Sequence, residues 1–378
     1  MQISVIIVSF NAKYFLEQCM HSVLKAAHSL KHEIIIIDNA SSDGTRELIE
    51  NRFPAVRFIA NSENIGFSKA NNQALRIATG KYILFLNPDT LIAEDCFSKC
   101  LEFFEKNKNT GVLGVKMIDG AGHYLKESKR GFPGPWRSFC KLFGLTRWFP
   151  HSRWFSGYYL GQLNKDENHQ IECVSGAFFF TLSEILSKCG GFDEQFFMYA
   201  EDIDLSYRIR SAGFINYYLS NTTIIHFKGE STLKDNQYIR TFYHAMSRFS
   251  RKYAPEKFGS FYNFFIESGI QFRMVLALIS RKKVKKADFS LENLLLVGDE
   301  SSKQELTNKL KTSFSGESSL PGLQIVFCEG VNYSFKQIIE DMQGKYGGKF
   351  FSFHSFGSGA IIQSTKEQIS GTALLLNS

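Results

Sequence analysis

Four short stretches of this 378-residue chain carry side chains that can bind a cation, move a proton or read a polar ligand. The first is Lys81-Tyr82-Ile83-Leu84-Phe85-Leu86-Asn87-Pro88-Asp89. Its apolar run suits a strand buried on both faces, and Pro88, which cannot donate to a ladder, ends it. Asp89 then stands at the carboxyl end of the strand, where ligands sit in open α/β sheets. A carboxylate there either holds a divalent cation against a phosphate or closes an Asn-Pro-Asp turn. The second stretch, Glu201-Asp202-Ile203-Asp204, offers three carboxylates in four residues. Leu205, Ile209 and Ala212 follow at helical spacing before Gly213, so the acids fall in a first turn, where the helix dipole favours them. The dipole accounts for the acids but not for the apolar approach Phe196-Phe197-Met198-Tyr199. A carboxylate emerging from such a wall has a raised pKa, which suits a general base. The third is Asp38-Asn39-Ala40-Ser41-Ser42-Asp43-Gly44-Thr45. Asp38 ends an apolar run, and Asp43 or Thr45 can cap the next helix. The fourth is His226, a lone imidazole of a kind that is usually structural.

These groups need a frame, and the first half of the chain supplies strand and helix signals in alternation. Strands are expected at 3–8, 33–37, 56–60 and 82–86, with helices at 12–30, from about Asp43 through Arg52, and at 68–79, the last closed by Gly80. A β-α-β-α order implies a mostly parallel sheet with right-handed crossovers. The loops after the first, second and fourth strands, with Asn64-Ile65-Gly66-Phe67, gather on one edge, the expected nucleotide site.

Composition narrows the classes. Apolar content of 44% and charged content of 21% describe a globular protein. The net charge of +7 fits anionic small molecules or an anionic membrane surface; no nucleic-acid motif accompanies it, so nucleic acid is set aside as a partner. Seven scattered cysteines without a Cys-x-x-Cys pair point to reduced thiols and a cytoplasmic setting. No secretory leader is read at the N-terminus and no bilayer-spanning run is expected.

The ordered set Val5-Ile6-Ile7-Val8-Ser9-Phe10-Asn11, Ile37 to Thr45, Asn64-Ile65-Gly66-Phe67 and Asn87-Pro88-Asp89 resembles family 2 glycosyltransferases, nearest to the rhamnosyltransferase-like branch. The similarity continues through Ser175-Gly176-Ala177, Gly190-Gly191-Phe192-Asp193-Glu194 and Phe197 to Leu205, and ends near His226-x-x-Gly229-x-Ser231, covering roughly residues 1–250. It implies a GT-A-type, Rossmann-like, mostly parallel sheet flanked by helices, and an inverting hexosyl transfer. Residues 1–250 would form this domain, 251–287 a helical and basic linker, and 288–378 a small α/β module.

The resemblance also implies roles. Ser9, Asn11, Asp38, Asn39, Ser41, Asp43, Asn64, Gly66, Phe67, Asn71, Asn87 and Asp89 would hold a dTDP- or UDP-linked sugar, Asp38 reading the pyrimidine. Asp89 and His226 would hold Mg²⁺ or Mn²⁺. The family often has Asp-x-Asp where this chain has Asn87-Pro88-Asp89, so the metal is expected to arrive with the donor. Asp202 would be the base, with Glu201 orienting it or contacting the acceptor, while Asp204 serves the helix. Gly176, Ala177, Asp193 and Glu194 would face the acceptor, a cell-surface glycan or lipid-linked saccharide. Two other readings stand beside this one: transfer to a polyprenyl phosphate, and a catalytically silent sugar- or partner-binding module.

The segment 120–165, with three Trp, has no clear period and reads as a long functional loop with short helices, a lid over the sugar or a local aromatic cluster. Residues 240–280 read as helices. The apolar run from Arg273 to Ile279, followed by Arg281, Lys282, Lys283, Lys285 and Lys286, reads either as peripheral membrane contact through 273–286, at the inner face of the cell membrane, or as a packed helix with a solvated linker. The last ninety or so residues form the α/β module, for which partner docking or homodimerisation is the default expectation.

Overall fold

The computed structural model describes residues 2–228, 236–253, 259–279, 285–286, 294–310, 324–346, 350–363, 369–370 and 372–376. The elements, in order, are β1 (Ile3–Ser9), α1 (Lys13–Ala26), β2 (His32–Asp38), α2 (Thr45–Arg52), β3 (Arg57–Ala60), α3 (Phe67–Leu75), β4 (Tyr82–Leu86), β5 (Thr90–Ile92), α4 (Cys96–Lys106), β6 (Thr110–Ile118), α5 (Pro135–Leu142), α6 (Leu145–Trp148), β7 (His169–Ile171), β8 (Phe178–Leu182), α7 (Ser183–Cys189), α8 (Glu201–Ser211), β9 (Ile215–His226), α9 (Asn236–Lys252) and α10 (Gly259–Ile279). There follow β10 (Lys285–Lys286), β11 (Leu294–Gly298), α11 (Glu300–Leu310), β12 (Gln324–Glu329), α12 (Phe335–Gln343), β13 (Phe350–Ser355), β14 (Ala360–Gln363), β15 (Ile369–Ser370) and β16 (Thr372–Leu375).

The apolar runs become the centre of a sheet ordered β3-β2-β1-β4-β8-β6-β9-β5, with β7 on β9. Strands β3, β2, β1 and β4 are parallel, as the alternation required. Beyond β4 the sheet is mixed: β8 runs antiparallel to β4 and β6, and β9 parallel to β6. Both faces are covered, and the period of two sorts the side chains. Ile3, Val5, Ile7, Leu84 and Leu86 pack against Leu16, Met20 and Phe97. Ile6, Val8, Ile83 and Phe85 pack against Ala70, Ala74, Leu205 and Ile209. This mixed, two-faced α/β sheet is the GT-A-type architecture that the resemblance implied.

Some boundaries differ from the sequence reading. Helix α1 stops at Ala26 rather than 30, in a turn closed by Leu30 N–H to Ala27 O. Helix α3 ends at Leu75 instead of running to 79, because the Glu33 carboxylate takes the Thr79 N–H and hydroxyl and draws the chain back to the sheet. Residues 120–165 contain α5, α6 and a 3-10 turn at Lys126–Ser128.

The C-terminal strands form a second sheet ordered β11-β12-β13-β14-β16. Its apolar face is docked on the first domain. Phe327, Phe335, Ile338, Met342 and Phe353 share one core with Phe15, Leu91, Ile118, Ile225 and Phe227. Polar groups ring that core. The Glu94 carboxylate accepts the first N–H groups of α12, at 2.8 Å from Phe335 and 2.9 Å from Lys336. Lys25 pairs with buried Glu329, and Glu17 takes both Arg52 and the Gly359 N–H. Among the described residues no helix is long and apolar enough to cross a membrane.

Candidate functional site

Parallel strands deliver the first group of side chains. Ser9 lies in register with Asp38, and Asp38 with Ala60, so the loops after β1, β2 and β3 leave the sheet together. Asp38 is buried and takes the Ser41 N–H at 2.9 Å and the Ser41 hydroxyl at 2.5 Å. Burial pushes its carboxyl up, and the Ser41 bonds oppose that. Asn11, at φ 50°, donates its N–H to Ser41 Oγ and receives the Ser42 N–H on Oδ1, each at 2.8 Å. Asn39 donates to Gly66 O at 3.3 Å, and Asn64 accepts the Gly66 N–H at 3.0 Å. Ser9 Oγ is buried without a hydrogen-bond partner among the described residues. These groups are brought together. Asp43 is differently employed: it accepts Lys13 N–H at 2.9 Å and Thr45 N–H and Oγ1 at 3.1 and 2.5 Å, bracing the starts of α1 and α2, while the N-cap of α2 is Gly44. Asn71 bonds back to Phe67 O within α3.

The second group sits where the turn between β4 and β5 meets the end of β9. Thr90 pairs in register with His226, which brings the imidazole Nε2 to 3.4 Å from Asp89 Oδ1 and 3.3 Å from Asn87 Nδ2. All three are poorly exposed, and His226 Nδ1 has no hydrogen-bond partner among the described residues. One carboxylate and one imidazole, both buried and converging, fit a divalent cation whose remaining positions would be filled by phosphate oxygens and water. No set of three or more His, Cys, Asp or Glu side chains able to hold a metal occurs among the described residues, so the protein offers at most a half-shell here. Gly229 and Ser231, which follow His226 in the motif, lie outside the described residues.

The third group is the acidic start of α8. Tyr199 and Ala200 both take left-handed backbone, φ 71° and 66°, to turn the chain into the helix. For residues with a Cβ that is strained. It places Glu201 and Asp202 in the first turn, both buried. Asp202 Oδ2 accepts Arg130 Nη2 at 2.5 Å and the Gly176 N–H at 2.9 Å, and Oδ1 accepts the Ile203 N–H at 2.8 Å. A carboxylate has about four acceptor positions, so one remains. Glu201 is the group with the raised carboxyl: burial, then the neighbouring Asp202 charge, pushes it up to about 8. Its Oε2 has no hydrogen-bond partner among the described residues. Asp204 is fully buried and takes Arg208, Lys252 and the Tyr253 hydroxyl, which anchor α8 to α9.

Two links tie the groups together. Asn87 N–H donates to Ala177 O at 3.1 Å while the adjacent Gly176 N–H holds Asp202, so one loop before β8 fixes both the β4 end and the α8 acids. Phe67 N–H donates to Phe197 O at 2.7 Å, and a Cβ on Gly66 (φ 88°) would run into Phe197, so the loop after β3 seats on the approach to α8. Asp193 and Glu194 lie at the rim and are engaged, Asp193 by Lys252 at 2.7 Å and Glu194 by Asn72 at 3.0 Å. Sequence reasoning missed Arg130, which also donates to Val174 O at 2.8 Å. Its one signal was a Lys-Arg pair leading into the acid-free segment 128–165.

A mixed α/β sheet with amide and carboxylate side chains gathered on the loops at one edge defines the GT-A class of glycosyltransferase domain. Residues 4–190 match the family model described as glycosyl transferase family 2, and through this region the chain belongs to that family. It is 26% identical over 242 residues to an N-acetylglucosaminyl-diphospho-decaprenol L-rhamnosyltransferase of Mycobacterium tuberculosis, covering 61% of this chain and 78% of the relative. It is 38% identical over 104 residues to the putative teichuronic acid biosynthesis glycosyltransferase TuaG of Bacillus subtilis, 27% of this chain and 41% of that one. Among solved structures, the mannosyltransferase PcManGT of Pyrobaculum calidifontis, in complex with GDP-Man and Mn²⁺, aligns at 15% identity with a TM-score of 0.47, over 74% of this chain and 76% of that one.

Proposed function

We propose that the protein transfers a hexosyl group, a rhamnose-like deoxyhexose in the favoured reading, from a dTDP- or UDP-linked donor to a hydroxyl of a cell-surface glycan or lipid-linked acceptor, with inversion. The observation that carries this reading is the 175–177 loop, which fixes the Asn87–Asp89 turn and the Glu201–Asp202 pair from adjacent peptide groups. A diphosphate-binding end and a proton acceptor held on one rigid support are what a direct displacement needs.

In this reading Asp38, with the Ser9, Asn11 and Asn39 loops, holds the pyrimidine nucleotide. Asp89 and His226 would hold Mg²⁺ or Mn²⁺, which would supply positive charge to offset that of the leaving diphosphate. Asp202 uses its remaining acceptor position to take the proton of the acceptor hydroxyl. The freed oxygen forms a bond to the anomeric carbon as the bond to the diphosphate breaks, and the nucleoside diphosphate leaves with the electron pair. Arg130 positions Asp202 and takes no proton. Glu201, protonated at neutral pH by its burial, would offer its unpartnered Oε2 as a hydrogen-bond donor to the incoming acceptor. Asn72, which grips Phe192 N and O at 2.9 and 2.8 Å, keeps the 190–194 rim against α3.

The relative of Mycobacterium tuberculosis, an N-acetylglucosaminyl-diphospho-decaprenol L-rhamnosyltransferase, supports the choice of sugar and of a lipid-linked acceptor. A donor screen that follows release of the nucleoside diphosphate tests the proposal. Turnover of dTDP- or UDP-linked deoxyhexose with a polyprenyl-diphosphate saccharide is the expected result. Absence of binding of either UDP or dTDP by calorimetry, with and without Mn²⁺, refutes it.

A further inference from the structure

All three tryptophans of the chain, Trp136, Trp148 and Trp154, lie in α5, α6 and the turn after them, a segment the proposed chemistry does not use. They are exposed, Trp148 and Trp154 at 78% and 76%. Phe139, Phe143 and Phe149 are exposed beside them. Four of these six rings are linked through Phe155, and Trp148 and Trp154 adjoin Phe149 and Phe155 in sequence. Phe143 meets Phe139 at 4.6 Å, Phe139 stacks on Trp136 at 5.7 Å, Trp136 meets Phe155 at 6.0 Å, and Phe155 meets Phe149 at 5.1 Å. Four linked exposed rings with two exposed tryptophans next to them in sequence mark an interaction surface.

Charge identifies what covers it. From Ser128 to Lys165 the chain has no Asp or Glu and seven Lys or Arg. Arg147 and Arg153 are exposed within the aromatic stretch itself. Trp with Arg and Lys, and no acid, is the composition that settles at a bilayer's headgroup level, aromatic bodies inward and cations at the phosphates. A second copy of the chain fits less well, since an isologous contact brings the same cations face to face. We infer that the 136–154 aromatic face is a docking surface for an anionic phospholipid bilayer.

The segment is built to hold its place. Phe132 N–H and Arg137 both bond to Glu172, at 2.6 and 2.5 Å, and Gly131 N–H bonds to Tyr158 O at 2.9 Å. It departs directly from Arg130, which grips Asp202. The inference concerns a surface and stands whether or not the donor assignment above is right.

Because every tryptophan is in this segment, intrinsic fluorescence reports on it alone. The test adds vesicles of phosphatidylcholine, with or without phosphatidylglycerol, to the full chain and records Trp emission and co-sedimentation. With phosphatidylglycerol the emission should shift to the blue, brominated lipid should quench it, and the protein should pellet; salt should reverse all three. Neutralising Arg147 and Arg153 to Gln should weaken partitioning roughly fivefold for each charge. Trp148→Ser with Trp154→Ser should abolish pelleting at unchanged far-UV dichroism, since both side chains are already in solvent. Unchanged emission with anionic vesicles overturns the inference. So does pelleting that survives the double Trp variant, which would place the contact elsewhere, the 273–286 stretch included. A blue shift without vesicles that grows with protein concentration alongside a dimer in sedimentation velocity overturns it as well.

Discussion

Replacing Glu201 with Gln separates the acidic pair's electrostatics from its packing. In the folded protein burial and the adjacent Asp202 hold the Glu201 carboxyl at about 8, against an ordinary value of 4.5. The unfolded chain releases this proton near the ordinary value, so between the two the folded state binds more protons than the unfolded one, and stability falls as pH rises. The contribution is intact below the unfolded value and lost once pH passes the folded one. At about 1.4 kcal/mol per pH unit the window corresponds to roughly 4–5 kcal/mol. Gln has nearly the same shape and cannot ionise. Glu201→Gln should therefore match the wild type in pH-dependence below about pH 4.5, and gain on it steadily up to roughly 4–5 kcal/mol near pH 9. Urea unfolding followed by far-UV dichroism at several pH values measures the difference. Lys129, lowered to about 8 by burial, and His21, lowered to about 4, titrate in both proteins and cancel. A constant offset would report only the unpaired amide in place of Oε2. Two parallel stability curves would refute the reasoning, because Glu201 would then ionise normally while folded. The same variant should flatten an alkaline fall in kcat centred near 8.

Three further outcomes follow from the site and the docked module. Asp202→Asn should lower kcat by about 10²–10⁴-fold while calorimetry still shows nucleotide binding; near-intact activity would favour the polyprenyl-phosphate reading, whose acceptor needs no strong base. Asp89→Ala or His226→Ala should remove the Mn²⁺-dependence of nucleotide affinity by calorimetry, and a variant that keeps it would clear that residue of a ligand role. Phe335→Ala, in the core shared by α12 and the first domain, should cost about 3–5 kcal/mol in one cooperative unfolding transition seen by both dichroism and fluorescence. Loss of the C-terminal sheet alone would mean that the two cores are independent.

Much of the frame was legible because strands buried on both faces leave continuous apolar runs. Val5 to Val8, Ile34 to Ile37 and Tyr82 to Leu86 are such runs, and they form parallel neighbours in the structure. The mixed half was not legible. Nothing local in Phe178–Leu182 states that it enters between β4 and β6 with reversed direction, since strand partners are chosen by tertiary packing. Arg130 was missed for a similar reason: it meets Asp202 across 72 residues, and a Lys-Arg pair in a loop looks like solvated charge. Left-handed backbone at Tyr199 and Ala200 has no marker either, as neither is Gly, Asn or Asp. The docking of the last module hides behind its own regularity. Phe335, Ile338, Ile339 and Met342 form a helix face that would serve equally well inside a free-standing unit, yet here it faces Leu91 and Ile225.

That docking bears on the site through strain. Of the six non-glycine residues with positive φ among the described residues, five, Asn11, Ala40, Tyr199, Ala200 and Lys228, lie on the loops that carry the candidate groups; the sixth is Leu160. Such conformations cost on the order of 1–3 kcal/mol each, so the loops would relax unless their supports were rigid. Each has one. Asp43 pins the starts of α1 and α2 on either side of Asn11 and Ala40, and α1 is in turn held by the C-terminal module through Glu17, Lys25 and Gln18. Asp204, bonded to Arg208, Lys252 and Tyr253, fixes the helix that Tyr199 and Ala200 lead into. Phe227, between His226 and Lys228, packs against Phe15 and Phe353 at 5.3 and 5.2 Å, one ring from α1 and one from β13. The module therefore supports both the loops after β1 and β2 and the His226 end of β9, and its removal should loosen the candidate site before it unfolds the sheet.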